Sequence, residues 1–262
     1  MKYAKGEVLA FIDDDAYPTK DWLNSALENF KDKDVAAVVG PAVTAPNDTL
    51  RQKASGAIFS SFLVSGRYNY RYIPKRRREV EDYPSCNFLV RKSIMQELGG
   101  FNTKFWPGED TKLCLDITRK LSKKIIYDPA VLVYHHRRPV FMPHLKQVAN
   151  YSLHRGYFVK KYPETSLRLP YFIPTLFLCV LICAGLLSLI SAPIRSIYYS
   201  GVFLYLALVL VFGIHKDLRL IPFVFFGTIL THLTYGAYFL KGLFYKRLPE
   251  ERLGTVPVGD CP

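Results

Sequence analysis

Apolar residues follow two regimes along this chain. Up to about residue 168 they come in short runs between charged stretches, and beyond it they run almost without interruption. In the first regime Glu7-Val8-Leu9-Ala10-Phe11-Ile12 ends in Asp13, Asp14 and Asp15, which predicts a buried strand delivering carboxylates at its C-terminal end. Ligands of open α/β sheets bind at that end of the strands. Pro18 to Phe30 has helical spacing at Trp22, Leu23, Ala26, Leu27 and Phe30, and the uncharged stretch Val35 to Gly40 predicts a second strand. Tyr83 to Arg91 reads as a strand entered through Ser85, Cys86 and Asn87, Ser93 to Leu98 as a helix, and Gly99-Gly100-Phe101 as a turn. Leu113, Ile117 and Leu121 repeat every four residues behind Glu109 and Asp110, which sets that pair at a helix start, where Asp is a favoured cap. Ile125 to Tyr127 and Val131 to Tyr134 are extended, separated by Asp128-Pro129, and lead into His135-His136-Arg137-Arg138-Pro139. Strands alternating with helices predict an α/β fold with a mixed or parallel sheet covered by helices.

In the second regime no charge appears from Leu169 to Ile194, and further uncharged runs cover Ser196 to Ile214 and Leu220 to Leu240. Each reaches the roughly 20 residues that cross a hydrocarbon core of about 30 Å, so three transmembrane helices are expected. Before the first run stand Arg137, Arg138, Lys146, Arg155, Lys160, Lys161 and Arg168 against the single acid Glu164, which places that side in the cytoplasm. His154 and Arg155 read as part of an interfacial helix with snorkelling bases. Three crossings put Lys246, Arg247 and Arg252 outside, against the same charge rule. Either the rule is weakly broken or one segment is re-entrant or interfacial, and the third, with His232, Thr234, Tyr235 and Gly236 in mid-run, is the suspect.

Charge and cysteines narrow the class. Thirty-five basic against 22 acidic residues give a net charge of +13. Five of the bases, Arg71, Lys75, Arg76, Arg77 and Arg78, form a loop that is either a solvated surface or a contact for anionic lipid or a phosphate-bearing substrate. No nucleic-acid-binding module is recognisable, and nucleic acid is not an expected partner. Cys86, Cys114, Cys179, Cys183 and Cys261 show neither framework nor zinc spacing.

Adjacent aspartates after a strand suit a divalent cation on a diphosphate, because magnesium is commonly held by one or two carboxylates plus substrate phosphates. Their company sharpens this: an acidic pair at a helix start and then a histidine pair. The residues Ala4 to Ala16 with Asp13-Asp14-Asp15, Gly99-Gly100-Phe101, Gly108-Glu109-Asp110-Thr111-Lys112-Leu113, and Tyr127-Asp128-Pro129 with His135 resemble family 2 glycosyltransferases, inverting nucleotide-sugar enzymes with a GT-A fold. The resemblance implies that Asp13, Asp14 and Asp15 face the sugar nucleotide. Asp13 and Asp15 would hold Mg²⁺ or Mn²⁺, with His135 or His136 adding a contact. Asp110, beside Glu109, would be the general base for the acceptor hydroxyl. Ser85, Cys86 and Asn87 would line the acceptor side or simply enter the strand. The apolar helices resemble those of membrane-bound members acting on lipid-linked or polymeric acceptors of the cell envelope.

The expected layout is a partial GT-A domain over 1–136, a basic juxtamembrane segment over 137–168, a transmembrane region over 169–245 and a tail over 246–262. Family members carry a nucleotide-binding segment ahead of the Asp-x-Asp strand, whereas here twelve residues precede Asp13. The expectation is therefore an N-terminally truncated member that is inactive alone, working with a missing N-terminal half or a partner transferase. The competing expectation is an inactive fragment that accompanies a complete transferase.

Overall fold

A computed structural model describes residues 3–252, so Cys261 and the end of the 246–262 tail lie outside the described residues. The elements are β1 (Val8–Ile12), β2 (Ala16–Pro18), α1 (Trp22–Asn29), β3 (Val35–Val39), β4 (Ala42–Thr44), α2 (Leu50–Ser60), α3 (Phe62–Ser65), β5 (Arg78–Val80), β6 (Asn87–Arg91), α4 (Lys92–Leu98), α5 (Glu109–Leu115), β7 (Lys124–Tyr127) and β8 (Val133–His135). Helices α6 (Met142–Lys161), α7 (Pro163–Ser166), α8 (Leu169–Leu187), α9 (Ala192–Phe212), α10 (Ile221–Phe244) and α11 (Pro249–Arg252) follow. A five-stranded sheet has the order β1-β6-β3-β7-β5, and a three-stranded sheet the order β2-β8-β4. Only β3 with β7 and β4 with β8 pair in parallel; the other neighbours are antiparallel.

The period-two alternation of strands decides what each face buries. Phe88 and Val90 of β6, Ala37 and Val39 of β3, and Ile125 and Tyr127 of β7 point to one side, where Met95 and Leu98 of α4, Leu113 of α5 and Ile117 just past it cover them. Leu89, Val38 and Ile126 point to the other, against Trp22 and Ala26 of α1 and Phe30 just past its end. The strand expected to be buried, β1, instead occupies an edge of the larger sheet and is half-buried, with Val8 and Ile12 packed towards the α1 side and Ala10 exposed.

Asn87 ties these layers together. Its Nδ2 donates to Gly40 O (2.8 Å) and Val131 O (2.7 Å), and its Oδ1 accepts from Trp22 Nε1 (2.9 Å). Gly40 passes so close to Val131 that a Cβ would meet its carbonyl oxygen at 1.7 Å. The expectation that Asn87 lines an acceptor surface is therefore corrected: the side chain is fully buried and its amide is committed to the fold.

The juxtamembrane expectation is corrected as well. Helix α6 is not an exposed interfacial segment, because Val148, Ser152, His154, Gly156, Tyr157 and Phe158 are buried. Arg155 does not snorkel; it turns into the α/β half and meets Asp82 at 3.0 Å. Arg137, counted among the flanking bases, is buried too. Beyond α7, three segments are long and apolar enough to cross a membrane: Leu169–Leu187, Ala192–Phe212 and Leu218–Glu251.

Replacing Asn87 by Ala leaves the Trp22 N–H and the Val131 carbonyl without partners, while Gly40 O keeps the Tyr83 hydroxyl. A destabilisation of about 3 kcal/mol is expected, since each unmet buried group costs about 1–3 kcal/mol. The apparent melting midpoint, followed by tryptophan fluorescence, should fall by about 10 °C; an unchanged midpoint would remove Asn87 from this role.

Candidate active site

The backbone builds the first half of the site. After β1 the chain turns through Asp13 to Asp15, closed by Ala16 N donating to Asp13 O at 3.0 Å. Strand β2 then pairs with β8 in a register that sets Ala16 opposite His135, and His136 N donates to Asp15 O at 2.9 Å. His135 is thus fixed beside residues 120 positions away in sequence.

His135 Nε2 lies 2.8 Å from Asp15 Oδ1 and 3.8 Å from Asp13 Oδ2, and one ligand atom from each of the three residues lies within 4.8 Å of the others. The aspartate side chains are 45% and 46% exposed and the histidine only 13%, so the carboxylates face solvent from a fixed base. On the other ring edge Arg137 Nη1 lies 3.1 Å from His135 Nδ1. A guanidinium only donates, so Nδ1 accepts, and the proton of the neutral ring sits on Nε2 and is given to Asp15. Burial, and then the Arg137 charge, hold the His135 pKa below its ordinary value, with Asp15 and Asp13 opposing. Burial pushes Asp13 up, against the pull of His135.

Two carboxylates and one imidazole are a donor set that fits Mg²⁺ or Mn²⁺. The carboxylates meet that role as they stand. His135 Nε2 would join only after its proton moved to Nδ1, where Arg137 faces it, so the ring acts first as the donor that aims Asp15. His136 is not brought to the cluster: its Nδ1 lies 2.5 Å from Asp48 Oδ1. Asp48, buried, also accepts from Arg137 N at 3.1 Å, and Arg137 donates to Ala42 O and lies 5.2 Å from the centre of the Tyr72 ring. Asp14 is exposed and is not one of the cluster's ligands.

Helix α5 supplies the second half. Its cap is Gly108, at φ +125, where a Cβ would lie 2.5 Å from the Phe158 ring. Glu109 Oε2 accepts from Gly108 N at 2.9 Å, and Asp110 Oδ1 from Thr111 N at 2.6 Å. Asp110 is therefore not the N-cap itself. Burial, with the charges of Glu109 and Asp82 adding and Arg155 opposing, raises its pKa to about 7. Burial also raises Glu109. Cys86 feels carboxylates of both halves: burial pushes its thiol up to about 12, reinforced by Asp13, Asp110 and Asp15. Ser85 is half-buried beside it.

Asp82 anchors this arrangement. It accepts from Thr111 Oγ1 (3.1 Å) and meets Arg155 at 3.0 Å and Arg71 at 3.4 Å. Burial alone would raise its pKa, but the two guanidiniums hold it down at about 2. Asp48, Asp82, Arg137 and Arg155 are the residues that sequence reasoning missed, since none stands in a motif. The one local signal is that Arg137 directly follows the histidine pair.

Comparison with known proteins agrees with the sequence resemblance. Residues 1–99 match the model of Glycosyl transferase family 2, and this segment is a family 2 glycosyltransferase domain. Over 132 residues the chain is 30% identical to the pre-mycofactocin glycosyltransferase of Mycobacterium tuberculosis, a match covering 50% of this chain and 27% of that protein. Over 137 residues it is 23% identical to the glucosyl-dolichyl phosphate glucuronosyltransferase of Haloferax volcanii, covering 50% of this chain and 43% of that protein. The chain thus spans less than half the length of these relatives.

The raised Asp110 pKa makes stability depend on pH. The folded state holds this proton more tightly than the unfolded chain, whose ordinary value is 3.8, so the stabilisation is complete below about pH 4 and is lost as pH rises through about 7. Between about pH 5 and pH 8 the melting midpoint should fall relative to that of Asp110→Asn, which has no such proton to lose. Parallel midpoints across that range would show an ordinary carboxyl.

Proposed function

We propose, for a chain whose residues 1–99 are a family 2 glycosyltransferase domain, that it moves a sugar from a nucleotide-sugar donor to a lipid-linked or glycan acceptor, with inversion, at the cytoplasmic face of a membrane. The observation that carries this reading is the Asp13–Asp15–His135 cluster together with Asp110, a carboxylate raised to about 7, both of which act on the buried Cys86 thiol.

Asp13 and Asp15 would hold a divalent cation, with His135 beside them; when bound, the ion neutralises the departing nucleoside diphosphate. Asp110 takes the proton of the acceptor hydroxyl as that oxygen bonds to the anomeric carbon and the bond to diphosphate breaks. A base with a pKa near the working pH is suited to that transfer. Arg137 and Asp48 keep His135 and the Asp15 turn in place, while Asp82 and Arg155 hold the start of α5. An acceptor on a lipid is supported by the apolar helices and by the relative named for glucosyl-dolichyl phosphate. The competing reading of an inactive companion fragment is not favoured, since a remnant has no need of a base held near neutrality opposite a carboxylate cluster.

Membranes bearing the whole protein should transfer label from a uridine- or guanosine-diphosphate sugar to lipid or glycan in a manner abolished by EDTA. Asp15→Ala should weaken cation-dependent donor binding. Asp110→Asn should leave donor binding intact and lower turnover by about a hundredfold or more. Full turnover in Asp110→Asn would exclude it as the base.

A further inference from the structure

The three apolar helices are not equivalent. Only 6% of the apolar window of α8, and 6% of that of α9, is buried inside the protein, against 39% for the segment containing α10. Helix α10 lies along α6 over nearly its whole length, and the two run in the same direction. A Cβ on Gly227 would lie 2.8 Å from the Val140 side chain, and His144 Nε2 lies 2.9 Å from Thr231 Oγ1. Further along, Gly156 abuts Phe239, Gly242 abuts Leu153, and Lys160 Nζ donates to Tyr245 O at 2.7 Å.

Helix α6 is itself bound to the α/β half from end to end. His144 Nδ1 lies 2.8 Å from Ser55 Oγ of α2, Arg155 meets Asp82, and Phe158 packs on Gly108 and Phe105. Both ends of α10 therefore return to the α/β half. Leu220 and Val224 pack with Ala54, Ile58 and Val140 at its start. Past its end Leu248 packs with Phe105 and Phe158, and Glu250 meets His154 at 2.6 Å. Helices α8 and α9 instead touch α10 through one part of each: Thr175 Oγ1 donates to Gly236 O at 3.0 Å, and Tyr205 bonds His232 at 3.0 Å. The turn between them carries Leu189 and Ile190, 72% and 82% exposed.

We infer that α8 and α9 form a two-pass hairpin, while α10 lies in the plane of the leaflet facing the α/β half and binds anionic lipid there. Its outer face presents Phe226, Leu230, Tyr238 and Phe244 to the acyl boundary. The exposed bases Lys241, Lys246 and Arg247 cluster at one end, where lipid phosphates meet them. Continuity with the hairpin fixes the bilayer as the partner. Two crossings return the chain to its starting side and bring Lys246 and Arg247 under the charge rule that three crossings break. The inference shares with the proposed function only the membrane setting, and its test reads no sugar transfer.

Cysteines introduced one at a time at Lys33, Ile190 and Lys246, in a background with Cys179, Cys183 and Cys261 changed to Ser and Cys86 and Cys114 left buried, are to be labelled with an impermeant maleimide from each side of sealed vesicles. Lys246→Cys should react from the same side as Lys33→Cys, and Ile190→Cys from the opposite side. Labelling of Lys246→Cys together with Ile190→Cys, or of all three from one side, would overturn the inference. Depth quenching of a fluorophore at Phe226, Leu230, Tyr238 and Phe244, in vesicles containing phosphatidylglycerol, provides a second readout. The 24 residues of α10 measure about 36 Å. Lying in the plane they give a uniform shallow depth, and a maximum at mid-helix would refute the assignment even if every variant folds.

Discussion

A buried carboxylate, Asp82, is the charged tie between the α/β half and α6, beside the His144–Ser55 bond and the packing of Phe158. Its side chain is 6% exposed and lies between Arg71 and Arg155, each 15% exposed. Burying such charges is expensive, and the pairing does not recover all of it, because Arg71 Nε and Arg155 Nη1 are buried with no acceptor among the described residues. The cluster is better understood by what it fixes than by its own net gain. Arg71 closes the basic loop, Thr111 brings in α5, and Arg155 brings in α6. Removing the carboxylate would leave two guanidiniums facing each other in a poorly solvated space, so the placement of all three elements depends on it.

The same charge sets the chemistry one residue away. Asp110 sits next to Thr111, which is hydrogen-bonded to Asp82, and it experiences Asp82 and Glu109 as repulsion and Arg155 as relief. Asp82 stays ionised because two cations face it; Asp110, without a direct cation, keeps its proton up to about pH 7. Neighbouring carboxylates pushed to opposite ends of the scale are what acid–base work requires. Cys86, which feels Asp13, Asp15 and Asp110, adds no charge of its own, since burial keeps the thiol protonated.

Much of this was readable in the chain because local pattern and local structure agree. β1, β3, β6 and β7 fall where apolar runs predict them, and the Asp13–Asp15 turn and the start of α5 follow from spacing alone. His135 was recognisable by its place in the motif order. What escaped was set by contacts distant in sequence. Arg137 and Arg155 read as flanking bases because nothing nearby shows that Ala42, His135 and Asp82 will receive them. Helix α2 was missed because small residues, Ala54, Ser55 and Gly56, make up much of its buried face beside Ile58 and Phe59, although Thr49 and Gln52 form a capping box at its start. Asn87 looked like a polar strand entry, and only the approach of Gly40 to Val131 makes it a tie.

Small residues also explain how an apolar helix can be mistaken for a simple span. Gly236 and Gly242 of α10 and Gly156 of α6 let backbones approach so closely that a Cβ would overlap a neighbour, and Gly227 makes room for the Ile58 and Val140 side chains. Contacts of this kind are short-ranged and fix helix against helix along a line, which hydropathy cannot register because glycine adds little to it. His144 completes the seam. Thr231 Oγ1 donates to Gly227 O and so accepts from His144 Nε2, which leaves Nδ1 to accept from Ser55. Burial pushes this imidazole down to about 4, and it stays neutral as the link between α2, α6 and α10. Because α6 carries Arg155 on one side and this seam on the other, one helix links the apolar helices to Asp82, a carboxylate whose charge helps to raise Asp110.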